Sequence, residues 1–173
     1  MITTKTLSQV NVGYAVKFIV LLTLATAAPL VGVHSQWITG PIVNMALILA
    51  VFLVGIRGAL LIGILPSTIA LGTGLLPAVL APMIPFIIIS NTLLILVIDW
   101  FRKAEFKNKF WVGLIFGAGT KYLFLFVTSG VVMSMLLNQA LASKVAVIMS
   151  WPQFFTAVIG GALAYGALKF LRK

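Results

Sequence analysis

Apolar residues in this chain occur in long runs, broken by short polar or charged stretches. Val12 to Val33 forms the first run, with Lys17 near its start. A polar break, His34 to Gly40, precedes a second run over Pro41 to Ile56. Arg57 and Gly58 mark a very tight connection to a third run, Ala59 to Leu71. The apolar but turn-rich stretch 72–81 leads to a fourth run, Pro82 to Trp100. The strongly charged loop 102–109 (RKAEFKNK) follows, then a fifth run from Phe110 to Thr128. A sixth run, Pro152 to Leu171, ends at Arg172 and Lys173. A bilayer-spanning helix needs about 20 mostly apolar residues, so the pattern predicts six spans: 12–33, 41–56, 59–71, 82–100, 110–128 and 152–171. Residues 129–151, with Asn138, Gln139, Ser143 and Lys144, fit either an extension of the fifth helix followed by a surface helix or a short extra span.

Composition sharpens this reading. Of 173 residues, 62% are hydrophobic and only 8% charged, and the mean hydropathy is +1.21. A soluble domain carries about 25% charged residues, so a soluble enzyme, a disordered tail and a secreted mini-protein are excluded. The expected fold is all-α: a single six-helix bundle in the membrane. The net charge of +10 comes from twelve Lys and Arg against two acids. These cations fall between apolar runs, so they are read as topology markers and no nucleic-acid partner is implied. Six spans put both termini on one side. With both in the cytoplasm, ten of the twelve cations lie inside, Lys144 lies outside and Lys121 lies within the bilayer. An extra span over 131–150 would reverse the C-terminal basic cluster, so it is not expected. The Ala25-Thr26-Ala27 triplet fits a signal-cleavage pattern, but the apolar run continues past it to Val33 and the leader is long and polar, so an uncleaved first helix is expected.

Polar residues inside a bilayer are costly and mark candidate sites. Lys121 lies eleven residues after Phe110, about 16 Å along a helix, near the middle of a core about 30 Å thick. A lysine there requires an anionic ligand, helix-end carbonyls or a partner acid; a neutral lysine acting without a charged ligand is a further reading. The acids are Asp99, at the inner end of the fourth run, and Glu105, in the basic loop. Asn44, Asn91 and Gln153 lie at mid-depth or farther out, as does Pro66 with Ser67 and Thr68. Each fits interhelical hydrogen bonding; together with Lys121 they fit a cavity open to the outside. His34, Gln36 and Trp37 fit a lid over such a cavity, and Trp151 an interfacial aromatic belt. Toward the inner side, Gly55, Gly58, Ala59 and Gly63 cluster, and Gly160, Gly161, Ala164 and Gly166 line the sixth run. Small residues at such spacing let helices approach closely, either within the bundle or against a partner. With no Cys, one His and two acids, the chain offers neither an evident catalytic constellation nor a metal site, and no cofactor is implied. It has no P-loop to energise transport.

The stretch Gly55-Ile56-Arg57-Gly58-Ala59-Leu60-Leu61-Ile62-Gly63 resembles the G-x-x-G-A-x-x-x-G segment joining helices two and three in the substrate-binding S components of energy-coupling factor (ECF) vitamin transporters. The basic loop after the fourth run and the glycine-rich sixth run are similar too. The resemblance implies six helices with both termini cytoplasmic, and a pocket in the outer half formed by helices four to six under the loop after helix one. It implies a membrane coupling subunit and a cytosolic ATPase pair as partners, toppling of the S component to release its ligand inward, and a prokaryotic plasma-membrane location. The pattern departs at helix one, where Ala15 and Ile19 stand in place of an early A-x-x-x-A pair. The expected cargo is a small anionic vitamin or cofactor precursor, bound by Lys121, Asn44, Asn91 and Gln153 and covered by His34, Gln36 and Trp37. Gly55, Gly58, Ala59 and Gly63 would dock the partner. Two alternatives remain: an accessory or scaffold subunit without a ligand pocket, and a membrane enzyme using Lys121 or His34.

Overall fold

A computed structural model describes residues 12–30, 35–72, 78–135 and 146–171. Six long helices dominate it: α1 (Val12–Leu30), α2 (Gln36–Leu53), α3 (Gly55–Gly72), α4 (Ile84–Lys103), α5 (Lys109–Met135) and α6 (Trp151–Leu171). A short 3₁₀ helix, Ala78–Met83, leads into α4. Among the described residues, four segments are long and apolar enough to cross a bilayer: Gln36–Leu53, Ala81–Lys103, Lys109–Val132 and Ala146–Leu171. α1 and α3 add shorter apolar segments over Val12–Ala27 and Gly55–Ile69. The protein is a multi-pass helical membrane protein.

Helix α2 is the centre of the bundle. Ala46 through Val51 are all buried, and a helix apolar on every side is one surrounded by others. α1, α3, α4 and α6 surround it, with α6 making the most extensive contact; α5 packs mainly on α4. The outside of the bundle is apolar as well. On α5 alone, Ile115, Phe116, Leu123, Phe126 and Val127 are exposed. A soluble surface rarely shows such a belt, whereas lipid tails accept it.

Several boundaries differ from those the sequence predicts, for identifiable reasons. The turn between α2 and α3 is at Val54–Gly55, not at Arg57–Gly58. Gly55 has φ +76°, a left-handed conformation that glycine adopts without the Cβ clash, and Arg57 already lies in the first turn of α3. α2 begins at Gln36 rather than Pro41, because the Ser35 carbonyl accepts from the Ile38 and Thr39 amides and opens the helix earlier. Pro41 therefore sits inside α2. α4 runs on through Arg102 and Lys103, cations that suit the negative end of a helix. α5 continues past Thr128 to Met135, because its hydroxyls bond within the helix: Thr128 to the Phe124 carbonyl at 2.7 Å, Ser129 to Phe126 at 2.9 Å and Ser134 to Val131 at 2.7 Å. The first part of 129–151 is thus an extension of the fifth helix. Residues 136–145 lie outside the described residues.

Candidate functional site

On α5, Leu114, Gly117, Ala118, Lys121, Leu125, Ser129 and Val132 are buried. Their spacing of three and four puts them on one face, so Lys121 belongs to the stripe that packs inward. Gly117 and Ala118, one turn below, keep that stripe thin; a Cβ at Gly117 would stand 3.0 Å from Leu94 Cδ1 of α4. α4 and α5 therefore approach closely, and Asn91, one turn from Leu94, comes within reach of the lysine. Asn44 is on the buried face of α2 with Pro41, Ile48 and Val51.

Lys121 Nζ donates to Asn44 Oδ1 at 2.7 Å and to Asn91 Oδ1 at 2.8 Å. All three residues are buried: Lys121 is 4% exposed, Asn44 and Asn91 2% each. A lysine head group can only donate when charged, which fixes both amides with oxygen toward it. Asn91 Nδ2 then faces α3 and donates to the Gly63 carbonyl at 3.4 Å. Gly63 permits this, since a Cβ there would stand 3.1 Å from Ile95 Cδ1. Pro66 lies one turn beyond in α3 and has no amide hydrogen for the neighbouring Ile62 carbonyl. One polar junction thus joins α2, α3, α4 and α5. α6 supports it from behind with Gly160, where a Cβ would meet the Pro41 carbonyl oxygen at 2.6 Å and Asn44 Cβ at 2.8 Å.

No acid takes part in this junction. Asp99 lies two turns farther along α4, about 12 Å from Asn91, and pairs with Arg102 Nη2 at 2.7 Å and Lys103 Nζ at 2.6 Å. The expected alternatives of an Asp99 partner or helix-end carbonyls for Lys121 give way to two side-chain amides. An ammonium has three donors, and two are used. The third has no acceptor among the described residues. Amide oxygens are neutral, so a protonated Lys121 keeps its net charge in a buried place, at a desolvation cost of several kcal/mol.

The remaining predicted site residues form a different layer. Gln153 does not reach Lys121: its Nε2 donates to the Ile148 carbonyl at 3.3 Å. Gln36 Nε2 donates to the same carbonyl at 2.9 Å. The two glutamines therefore fasten the start of α2 to the segment preceding α6. Gln36 is eight residues from Asn44, about 12 Å along α2. Trp37 and Trp151 pack beside this layer, tilted by 52° with centroids 5.4 Å apart, both about half exposed. His34 lies outside the described residues. Of the glycine cluster expected to dock a partner, Gly55 is half-buried at the α2–α3 turn. Gly58, Ala59 and Gly63 are buried, and Gly58 packs where a Cβ would meet Tyr14 Oη at 2.9 Å. A cavity of about 370 Å³ lies at the opposite, basic end of the bundle, and none of Lys121, Asn44 and Asn91 is in its wall.

The sequence reading missed the Gly63 and Ile148 carbonyls and the support from Gly160. Pro66 marked a disturbed backbone near the first, and the Gly160-Gly161 pair marked a close approach without saying to what. No family model matches the chain, and no curated protein or solved structure shows significant similarity to it.

Proposed function

We propose that this chain is the membrane-embedded substrate-binding component of an ECF-type transporter. In this reading it crosses a prokaryotic plasma membrane six times, has both termini in the cytoplasm and takes up a small anionic vitamin or cofactor precursor. The observation that carries the reading is the state of Lys121. Its nitrogen is held by two neutral oxygens, 2.7 and 2.8 Å away, with one donor unassigned and no counter-charge. An acid at this place would cancel the attraction for an anion, whereas two amides orient the ammonium and leave its charge available. A cargo carboxylate or phosphate would take the third N–H and neutralise the site. The outward bias of the polar layers and the inner bias of the cations support the orientation. With no P-loop in the chain, a membrane coupling subunit and two cytosolic ATPases would supply the energy.

A second reading rests on the same junction. A polar clamp tying four helices is also what an accessory or scaffold subunit without cargo would use. Ligand binding separates the two. Small molecules retained by the detergent-purified protein are identified by mass spectrometry and their affinity is measured. Lys121→Met is expected to weaken binding more than tenfold, or about 1.4 kcal/mol. Unchanged affinity removes Lys121 from the site. Absence of any retained anion, together with co-purification of a complex lacking ATPases, favours the scaffold.

A further inference from the structure

The cavity at the basic end belongs to neither reading. Its volume, about 370 Å³, is at the lower end of small-molecule sites. Its wall has two characters. One part carries Arg102, Lys107, Lys109 and Lys169. The other carries the rings of Phe52, Phe110, Trp111 and Tyr165, which pack in tilted and edge-to-face contact with centroids 5.0 to 5.8 Å apart.

The positive charge here is cancelled only in part, at Arg102. Of the two acids in the chain, Asp99 is held by Arg102 and Lys103, and Glu105 is not in the wall. Lys109 Nζ is fixed on the Ala104 carbonyl at 2.9 Å. Arg102 is held over the Phe52 ring at 6.0 Å, and its Nε is buried with no hydrogen-bond acceptor. α5 also starts at this cavity. The first amides of a helix lack intrahelical acceptors, and its dipole favours an anion at that end. The lysines of the wall and the start of α5 both address a negative group in this cavity.

A shallow groove continues from the cavity. It shares Asn108 and Trp111 with it and passes up α5 along Val112, Ile115 and Phe116. Ile115 and Phe116 are exposed and apolar, on the surface that faces lipid. A free phosphate has no use for such a track, whereas an acyl chain does. Basic pockets between membrane helices near the cytoplasmic face are suited to anionic head groups.

We propose that this cavity binds a phosphate ester anion, presented as the head group of an anionic phospholipid whose acyl chain lies along the Val112–Phe116 groove. Native mass spectrometry of the detergent-purified full chain, titrated with phosphatidylglycerol or phosphatidylcholine, tests it. The expected result is retention of one phosphatidylglycerol per chain in preference to phosphatidylcholine. Lys107 and Lys169 are exposed and take part in no ion pair among the described residues, so Lys107→Gln/Lys169→Gln leaves the fold intact. At about fivefold per cation, that double variant lowers phosphatidylglycerol affinity about twenty-five-fold. Lys17→Gln/Arg57→Gln removes two exposed cations outside the cavity wall and is expected to leave affinity unchanged. Equal retention of both lipids, or an equal loss in the two double variants, overturns the proposal. Displacement of the lipid by an equal concentration of inorganic phosphate overturns the lipid as the source and assigns the site to the free anion.

Discussion

Replacing Lys121 by Met asks what the buried lysine is for. The change keeps an unbranched side chain of similar length and removes the charge. It forfeits two hydrogen bonds, at 2.7 and 2.8 Å. In membrane bundles such bonds contribute about 0.6 to 1.7 kcal/mol each, so the loss is about 1 to 3 kcal/mol. Against it stands relief of the ammonium's desolvation, several kcal/mol at a residue only 4% exposed. Relief equals or exceeds loss, and Lys121→Met is expected to be no less stable than the parent. Asn91→Leu works the other way. It leaves the cation buried with one acceptor in place of two, and removal of a bond to a buried charged group costs about 2 to 3 kcal/mol. Adding Lys121→Met to Asn91→Leu should then restore stability, because no stranded charge remains. The assay is reversible unfolding by SDS in mixed micelles, read by circular dichroism, for the parent, both single variants and the double. A coupling energy above about 0.5 kcal/mol marks the two sites as interacting. If the two effects simply add, the two residues do not act on one another. If Lys121→Met is as destabilised as Asn91→Leu, the lysine is a structural clamp. The ground for an anion site is then lost.

Four further outcomes follow from the packing and the topology. Gly160→Ala puts a methyl 2.6 Å from the Pro41 carbonyl oxygen and 2.9 Å from the Met45 nitrogen; neither backbone atom can move alone, so a loss of about 1 to 3 kcal/mol is expected in the same unfolding assay. Gly166→Ala meets nothing within 4 Å and should be neutral or gain up to about 1 kcal/mol in helix propensity. Gly55→Ala forces a Cβ into φ +76° and should cost about 1 to 2 kcal/mol, whereas Arg57→Ala, at the turn first read from the sequence, should cost little. The absence of cysteine makes orientation directly measurable: in sealed inside-in cells, an impermeant maleimide should label Val147→Cys from outside and Glu105→Cys only after lysis, and the reverse pattern would invert the topology.

The helices were legible because runs of apolar residues long enough for a bilayer have few other uses, and Lys121, Asn44 and Asn91 were legible because each interrupts such a run. Depth decided what remained hidden. Gln153 and Gln36 carry the same chemistry as the asparagines, yet a position about two turns farther out places them on the Ile148 carbonyl, in a different layer. Sequence locates a residue along its own helix, but not the stagger between helices that sets which polar groups meet. The glycines illustrate the same limit. Gly58, Gly63 and Gly160 announce a close approach, and only packing reveals that within the bundle it is to Tyr14, Ile95 and the α2 backbone respectively. The sequence leaves the end of α5 open, and the hydroxyls of Thr128, Ser129 and Ser134 settle its first part: each donates to a carbonyl of its own helix, and α5 continues to Met135. The asparagines differ from those hydroxyls in one physical respect. Their oxygens are bonded to another helix's lysine rather than to their own backbone, so displacing either one acts on α5 as well, and a ligand that engages Lys121 is coupled to α2 and α4 by construction.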